Sequence, residues 1–288
     1  MPVSNVKNTI CLAAILKEEE NFLDEWLLYH RLIGIDHFFL YDDDPKLPLE
    51  TFLSPHKDYV TVIPWFERHA HIPGRNRQTK AYTHASENFA KGFQWITFID
   101  ADEFIVLRKH ENIKDFLSEF ENYSAVSLNW HVFGHNGYYD NPKGLITSSL
   151  TRRMLRPNCN VKTFTKSDAI NEISSAHFCR LKYGFRVDAN KKILTNELYH
   201  DKTAIANINH NQCRSFLNWM NRVKRGDVAL EDIQVSSKRE WRVDEEACLK
   251  QFVKTVALDK NEYIDEYMLK YKDILKEQIK RIERVNKH

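Results

Sequence analysis

Glycine and proline are scarce in this chain, eight of each in 288 residues, and no apolar run approaches the length needed to cross a bilayer. The first scarcity excludes collagen-like and low-complexity chains, and an aromatic content of 12% excludes wholesale disorder. The apolar run at residues 10–16 is cut off by Lys17 and three glutamates and lacks a basic flank, so neither a signal peptide nor a membrane insertion segment is expected. There is no CxxC pair. The five cysteines, Cys11, Cys159, Cys179, Cys213 and Cys248, are an odd number. They argue against a disulfide framework and a structural zinc site, and fit a reducing, cytoplasmic setting. The formal charge is +2, with no long basic block before the last twenty residues, so a nucleic-acid partner is not expected.

What is present is an alternation of strand-like and helix-like segments. Residues 9–16 read as a buried strand. In "NFLDEWLLYHRLIG", Phe22, Leu23, Trp26, Leu27, His30 and Ile33 recur at helical spacing, with Asn21 placed to cap the start and Gly34 the end. "DHFFLY" reads as a second strand, "YVTVIPW" as a third and "WITFID" as a fourth, with a helix over 76–91 between the last two, closed by Gly92. "NIKDFLSEF" reads as a helix and "YSAVSLNWHVF" as a strand. This order predicts an α/β fold with a mostly parallel central sheet flanked by helices. Residues 136–201 are irregular, as expected of loops and short strands covering a site.

From Asn211 the pattern turns helical, and Ile264, Tyr267, Met268, Tyr271, Ile274, Leu275, Ile279 and Ile282 form one stripe. That stripe predicts a helix docked on the core; its basic far face is alternatively suited to an anionic membrane surface. The expected organisation is a catalytic domain over 1–226 and a helical extension over 227–288 packed on it.

The stretch "FIDADEF", 98–104, runs a β-branched and aromatic strand into Asp100, Asp102 and Glu103. A second acidic cluster, Asp42 to Asp44, ends the second strand. Carboxyl ends of strands are where open α/β sheets bind ligands, and paired carboxylates there hold a hard cation; the alternative is that these acids cap the next helix. A sugar-nucleotide-dependent transferase needs such a cation, because its leaving group is a nucleoside diphosphate. Asp-x-Asp on extended backbone turns both carboxylates the same way.

Five segments in order, "LKEEENFLDEWLLYHRLIGIDHFFLYDDDP", "RQTKAYTHA", "WITFIDADEFIV", "LNWHVFGHNG" and "NINHNQCRSFLNWMNRVKRG", resemble the successive motifs of glycosyltransferase family 92-like proteins and their bacterial family 2-like relatives. The resemblance covers about 10–226 and implies a GT-A fold. It further implies an inverting, metal-dependent transfer of a hexose from a UDP-sugar, UDP-galactose among them, to a glycan or lipid-linked oligosaccharide. By that resemblance Asp100, Asp102 and His210 would hold Mn²⁺ or Mg²⁺. Asp42, Asp44, Arg77, Gln78, Asp100, Arg214 and Arg222 would contact the donor, and Trp130, Phe133 and Gly134 would face the acceptor. Glu103 would either support the motif from behind or act as an acceptor-side acid, and Glu172 is the expected catalytic base among the carboxylates Glu172, Asp168, Asp140 and Glu103. Among the remaining histidines, His177 is the best candidate for a site role.

Four departures stand out. Asn211 occupies a usual Tyr position, Arg214 and Arg222 occupy usual Lys positions, and Glu18 replaces an Asn in the first-strand motif. Arginine keeps the charge and adds bidentate phosphate recognition. A metal-dependent nucleotidyltransferase or phosphohydrolase would use the same acids without an acceptor pocket. Soluble and basic at its C-terminal helix, such a transferase is expected in the cytoplasm, working at the inner face of the membrane.

Overall fold

The computed structural model describes residues 8–17, 20–43, 49–66, 74–196, 198, 205–225, 245–254 and 260–285. Glu18 and Asp44 lie outside the described residues, as does the side chain of Arg222.

Nine strands make the main sheet. Its order is β3 (Val60–Pro64), β2 (His37–Asp42), β1 (Ile10–Leu16), β4 (Trp95–Phe98), β8 (Val161–Lys166), β6 (Ala125–Val132), β12 (Ala206–His210) and β5 (Glu103–Leu107), with β11 (Arg186–Asp188) also on β6. The β1–β2, β2–β3, β1–β4, β6–β12 and β6–β11 pairs are parallel, while β4–β8, β6–β8 and β5–β12 are antiparallel. The expected α/β fold with a mostly parallel sheet is what forms.

The segment ICLAAIL of β1 is apolar without alternation because both faces of the sheet are covered. Leu12, Ala14 and Leu16 pack on one face with Trp26 and Leu27 of the helix Glu20–Leu32. Cys11 and Ala13 pack on the other with Tyr82 and Ala85 of the helix Gly74–Asn88. The first helix ends at Gly34, whose φ of +106° is a conformation that side-chain-bearing residues rarely adopt.

Two features differ from the sequence reading. The irregular stretch supplies β8, which inserts between β4 and β6 near the middle of the sheet. It also contributes β7 (Arg152–Arg153) and a separate ribbon of β9 (Ile170–Ile173) with β10 (Cys179–Leu181). The C-terminal stripe is not one helix. Ile264 lies in the two-residue strand β13 (Tyr263–Ile264) paired with β7 and is exposed, and the α-helix begins only at Lys272.

The cause of that break is Asp265, which the Arg108 guanidinium grips at 3.3 and 2.6 Å and Arg153 Nε at 2.7 Å. The chain turns to place that carboxylate between two arginines, and Met268, Tyr271 and Leu275 then pack into the same core as Trp26 and Tyr29. Among the described residues, no helix is long and apolar enough to cross a membrane.

Candidate active site

Asp100 and Asp102 lie in the turn between β4 and β5, so "FIDADEFIV" is a strand, a tight turn and a second strand. The turn closes where the Glu103 amide donates to the Asp100 carbonyl at 3.0 Å. In return the Glu103 carboxylate accepts the Asp100 amide at 2.8 Å.

The two aspartates have different surroundings. Asp100 is held on both oxygens: Oδ2 lies 3.0 Å from Lys162 Nζ, and Oδ1 accepts from Gln78 Nε2 at 3.2 Å and from the Tyr82 hydroxyl at 3.4 Å. Asp102 is buried and turns to His210, with Oδ1 3.6 Å from Nε2. The β5–β12 register sets that approach, because His210 pairs with Glu103 at the end of β12 and the next residue, Asn211, donates its amide to the Asp102 carbonyl at 2.8 Å.

The His210 ring lies against Trp130, 4.2 Å between centroids, and His177 approaches the same indole at 5.3 Å. The Nδ1 of His210 and the indole N–H of Trp130 are buried without a hydrogen-bond partner. The His177 ring contacts the Val161 carbonyl through Nδ1 at 3.0 Å. Burial, reinforced by the charge of Lys162, lowers the His177 pKa to about 4, so its imidazole is neutral at physiological pH.

Glu103 is fully buried, and burial pushes its pKa well up, while Lys162 Nζ at 3.3 Å pulls it back. The two acids around it keep Lys162 protonated against its own desolvation. Sealed in this way, Glu103 supports the turn from behind, the first of the two roles expected of it.

The other expected residues divide similarly. Asp42 caps the following segment by accepting the Leu49 amide at 2.9 Å. Arg77 is buried and paired at 2.7 Å with Asp43, the middle aspartate of its cluster. Arg214 is buried with its guanidinium over the Phe22 ring at 4.5 Å, close enough for its charge to act on Glu25. Phe133 and Gly134 are closed over by the chain: Phe133 bridges to Arg153, and a Cβ on Gly134 would come within 2.5 Å of the Lys260 carbonyl. Of the three expected acceptor-side residues, Trp130 lays its ring against His210 and Phe133 donates its amide to the His210 carbonyl at 2.9 Å. Glu172 is on the exposed face of β9, ion-paired with Arg180 at 3.3 Å.

Sequence reasoning missed Tyr82, Lys162 and Asp43. A signal for Lys162 existed, since it alternates onto the same strand face as Phe164 and must therefore be buried. Among the described residues no three His, Cys, Asp or Glu side chains gather as a metal cluster. Asp102 and His210 approach each other at the acidic turn, with Asp100 in the same turn.

Comparison with known proteins places the motifs in a family context. The sequence profile of Glycosyltransferase family 92 matches residues 7–246. A family 92 protein of Ricinus communis is 29% identical over 197 residues, covering 66% of this chain and 35% of its own length. One of Oryza sativa subsp. japonica is 27% identical, covering 62% and 31%. The chain therefore spans about a third of the length of the curated relatives it matches. Among solved structures, S. aureus TarS 1–349 in complex with UDP is similar at a TM-score of 0.36 and 12% identity, covering 85% of this chain and 72% of that one. Glucosyl-3-phosphoglycerate synthase from Mycobacterium tuberculosis, in complex with Mn²⁺, UDP and glucosyl-3-phosphoglycerate, gives 0.34 and 10%, covering 68% and 73%. Likenesses this distant carry no argument about the chemistry.

Proposed function

Because the chain belongs to glycosyltransferase family 92, we propose that it transfers a hexose from a UDP-sugar to a glycan or lipid-linked oligosaccharide, with Asp102 and His210 holding Mn²⁺ or Mg²⁺ against the diphosphate. The single observation that carries this reading is the approach of Asp102 to His210 beside a turn whose other acids are already engaged. The donor set suits such an ion. One carboxylate and one imidazole would leave other positions to phosphate and water, as expected of a cation bound through a nucleotide. Held by Asp102 and His210, a cation would supply positive charge to offset that developing on UDP as the glycosidic bond breaks.

The chain's own groups do the rest. Asp100, oriented by Gln78 and Tyr82, is suited to the ribose hydroxyls. Arg214 and Arg222 are the cations assigned to the diphosphate. Trp130, its ring tilted against His210, is assigned to the sugar side of the donor. Deprotonation of the acceptor for an inverting displacement falls to a carboxylate outside the sealed turn, Glu172 in this proposal, with Asp140 the other contender.

Lys276, Lys280, Arg281 and Arg284 on the C-terminal helix give a surface suited to anionic lipid, consistent with work at the inner face of a membrane on a lipid-linked acceptor. The catalytic unit would be 1–226, with 227–288 clasped onto it.

The test is calorimetric titration of UDP into the purified protein with Mn²⁺ and again with EDTA. Binding that needs the metal is expected; equal heats under both conditions sink the metal-bridged site. A metal-dependent nucleotidyltransferase or phosphohydrolase is separated by product: acceptor-dependent UDP release supports transfer, and acceptor-independent phosphate or pyrophosphate release supports the alternative.

A further inference from the structure

Lys162 is 1% exposed in its side chain, in the middle of the sheet, and its ammonium lies 3.0 Å from Asp100 Oδ2 and 3.3 Å from Glu103 Oε2. A lysine buried this deeply is costly, and an apolar side chain of similar volume in its place is often neutral or stabilising. Stability alone therefore gives weak reason for a charged group here. What the ammonium does is geometric. It grips one oxygen of Asp100 while Gln78 and Tyr82 hold the other, and it grips the Glu103 carboxylate that in turn receives the Asp100 amide. Donors from a helix and from β8 thus fix both ends of the turn that carries Asp102.

We propose that Lys162 is a positioning residue of the donor site: a built-in cation that locks Asp100 and Glu103 around the turn, so that Asp102 is the carboxylate presented with His210 to an external cation and the nucleotide. This inference rests on the donor-site reading above. Lys162 touches neither donor nor acceptor in this role and acts through Asp100. It also sets the charge of the site. Of the three acids in the turn, one is offset internally, which lessens the repulsion that the donor's diphosphate would otherwise meet from the carboxylates.

The test removes the buried charges together, in Lys162→Met/Glu103→Gln, so that no unpaired ion is left inside. Thermal unfolding and UDP titration with Mn²⁺ are read on wild type and variant. The expected result is a folded variant whose Kd for UDP with Mn²⁺ rises tenfold or more, with a higher Mn²⁺ midpoint. A folded variant that binds as tightly as wild type overturns the inference, because a purely structural lysine would move only the unfolding temperature. Wild type that binds no UDP with Mn²⁺ overturns the donor-site reading and this inference with it. Should the double variant fail to fold, Tyr82→Phe, which removes only the hydroxyl on the opposite oxygen of Asp100, is expected to raise the Kd two- to fivefold; an unchanged Kd there overturns the locking role.

Discussion

His210 Nε2 faces Asp102 Oδ1 at 3.6 Å, brought there by the antiparallel register of β12 on β5. That separation is too long for a strong hydrogen bond, so the two groups are neighbours without being closed on each other. Asp102→Asn is therefore expected to lower turnover by two orders of magnitude or more with an unchanged unfolding temperature, since the amide keeps the shape and loses the charge. His210→Ala is expected to raise the Mn²⁺ concentration giving half-maximal UDP binding at least fivefold. Near-wild-type turnover in the first variant, or an unmoved metal titration in the second, removes that residue from the site.

The Asp265 clasp predicts a different outcome. Arg108 and Arg153 both close on its carboxylate, and their charges hold its pKa below the usual carboxylate range against the effect of burial. Asp265→Ala would leave two guanidiniums facing each other in a largely buried place, a loss on the order of 3–5 kcal/mol. Urea denaturation measures it. A loss under about 1 kcal/mol, the worth of an exposed pair, would mean that the clasp contributes little to holding 260–285 on the core.

Gly34 gives a local test of the same kind. Its φ is +106°, and an added Cβ would meet Asn112 Oδ1 at 2.7 Å. Asn112 is the N-cap of the helix Ile113–Ser118, accepting the Lys114 amide at 2.8 Å. Gly34→Ala therefore strains one helix end and displaces the cap of another, and roughly 1–3 kcal/mol of destabilisation is expected. Asn112→Ala, which loses the cap and relieves the clash, should cost about 1 kcal/mol and make the glycine substitution less harmful in the double variant. Strict additivity in denaturation would refute this coupling.

What the sequence disclosed and what it hid follow from how far each interaction reaches along the chain. Gly34 as a helix end, the continuous apolar run of β1 and the acids after β4 are local signals, and each falls where expected. The misreadings are all pairings made at long range. Asp43, the middle of three aspartates, is the one buried against Arg77, a choice fixed by which side chain points inward at the end of β2. β8 looked irregular because four of its six residues are polar, yet the fold buries Lys162, Thr163 and Thr165 by giving them partners: Asp100 and Glu103 for the first, Ser127 for the second and Cys179 for the third. The helical stripe from Ile264 was broken by Asp265, whose partners stand more than a hundred residues upstream. Glu103 looked like a reactive acid until the lysine that seals it was in view.

His30 offers the pH test. It is fully buried against Phe104, with Nδ1 2.8 Å from the Trp26 carbonyl, while the Ile105 amide donates to Nε2 at 3.2 Å. Those partners require a neutral ring with its proton on Nδ1, and burial lowers its pKa to about 3 from 6.5. The sign follows from proton counting. Between pH 6.5 and 3 the unfolded chain binds a proton at this ring that the folded chain does not, so stability is present above that window and is lost as pH falls through it, by roughly 1.4 kcal/mol per unit. His131, lowered to about 3 by burial beside Arg153 and Arg108, acts in the same direction, so wild-type acid sensitivity is a sum over several groups. His30→Gln isolates one of them. The variant should be less stable at pH 7.5, and its stability should fall less steeply than wild type's between pH 6 and 4, by close to one proton's worth of slope. Denaturant unfolding of both proteins across that range decides it. Parallel curves would mean that the imidazole is reached by solvent and protonated while the protein is still folded.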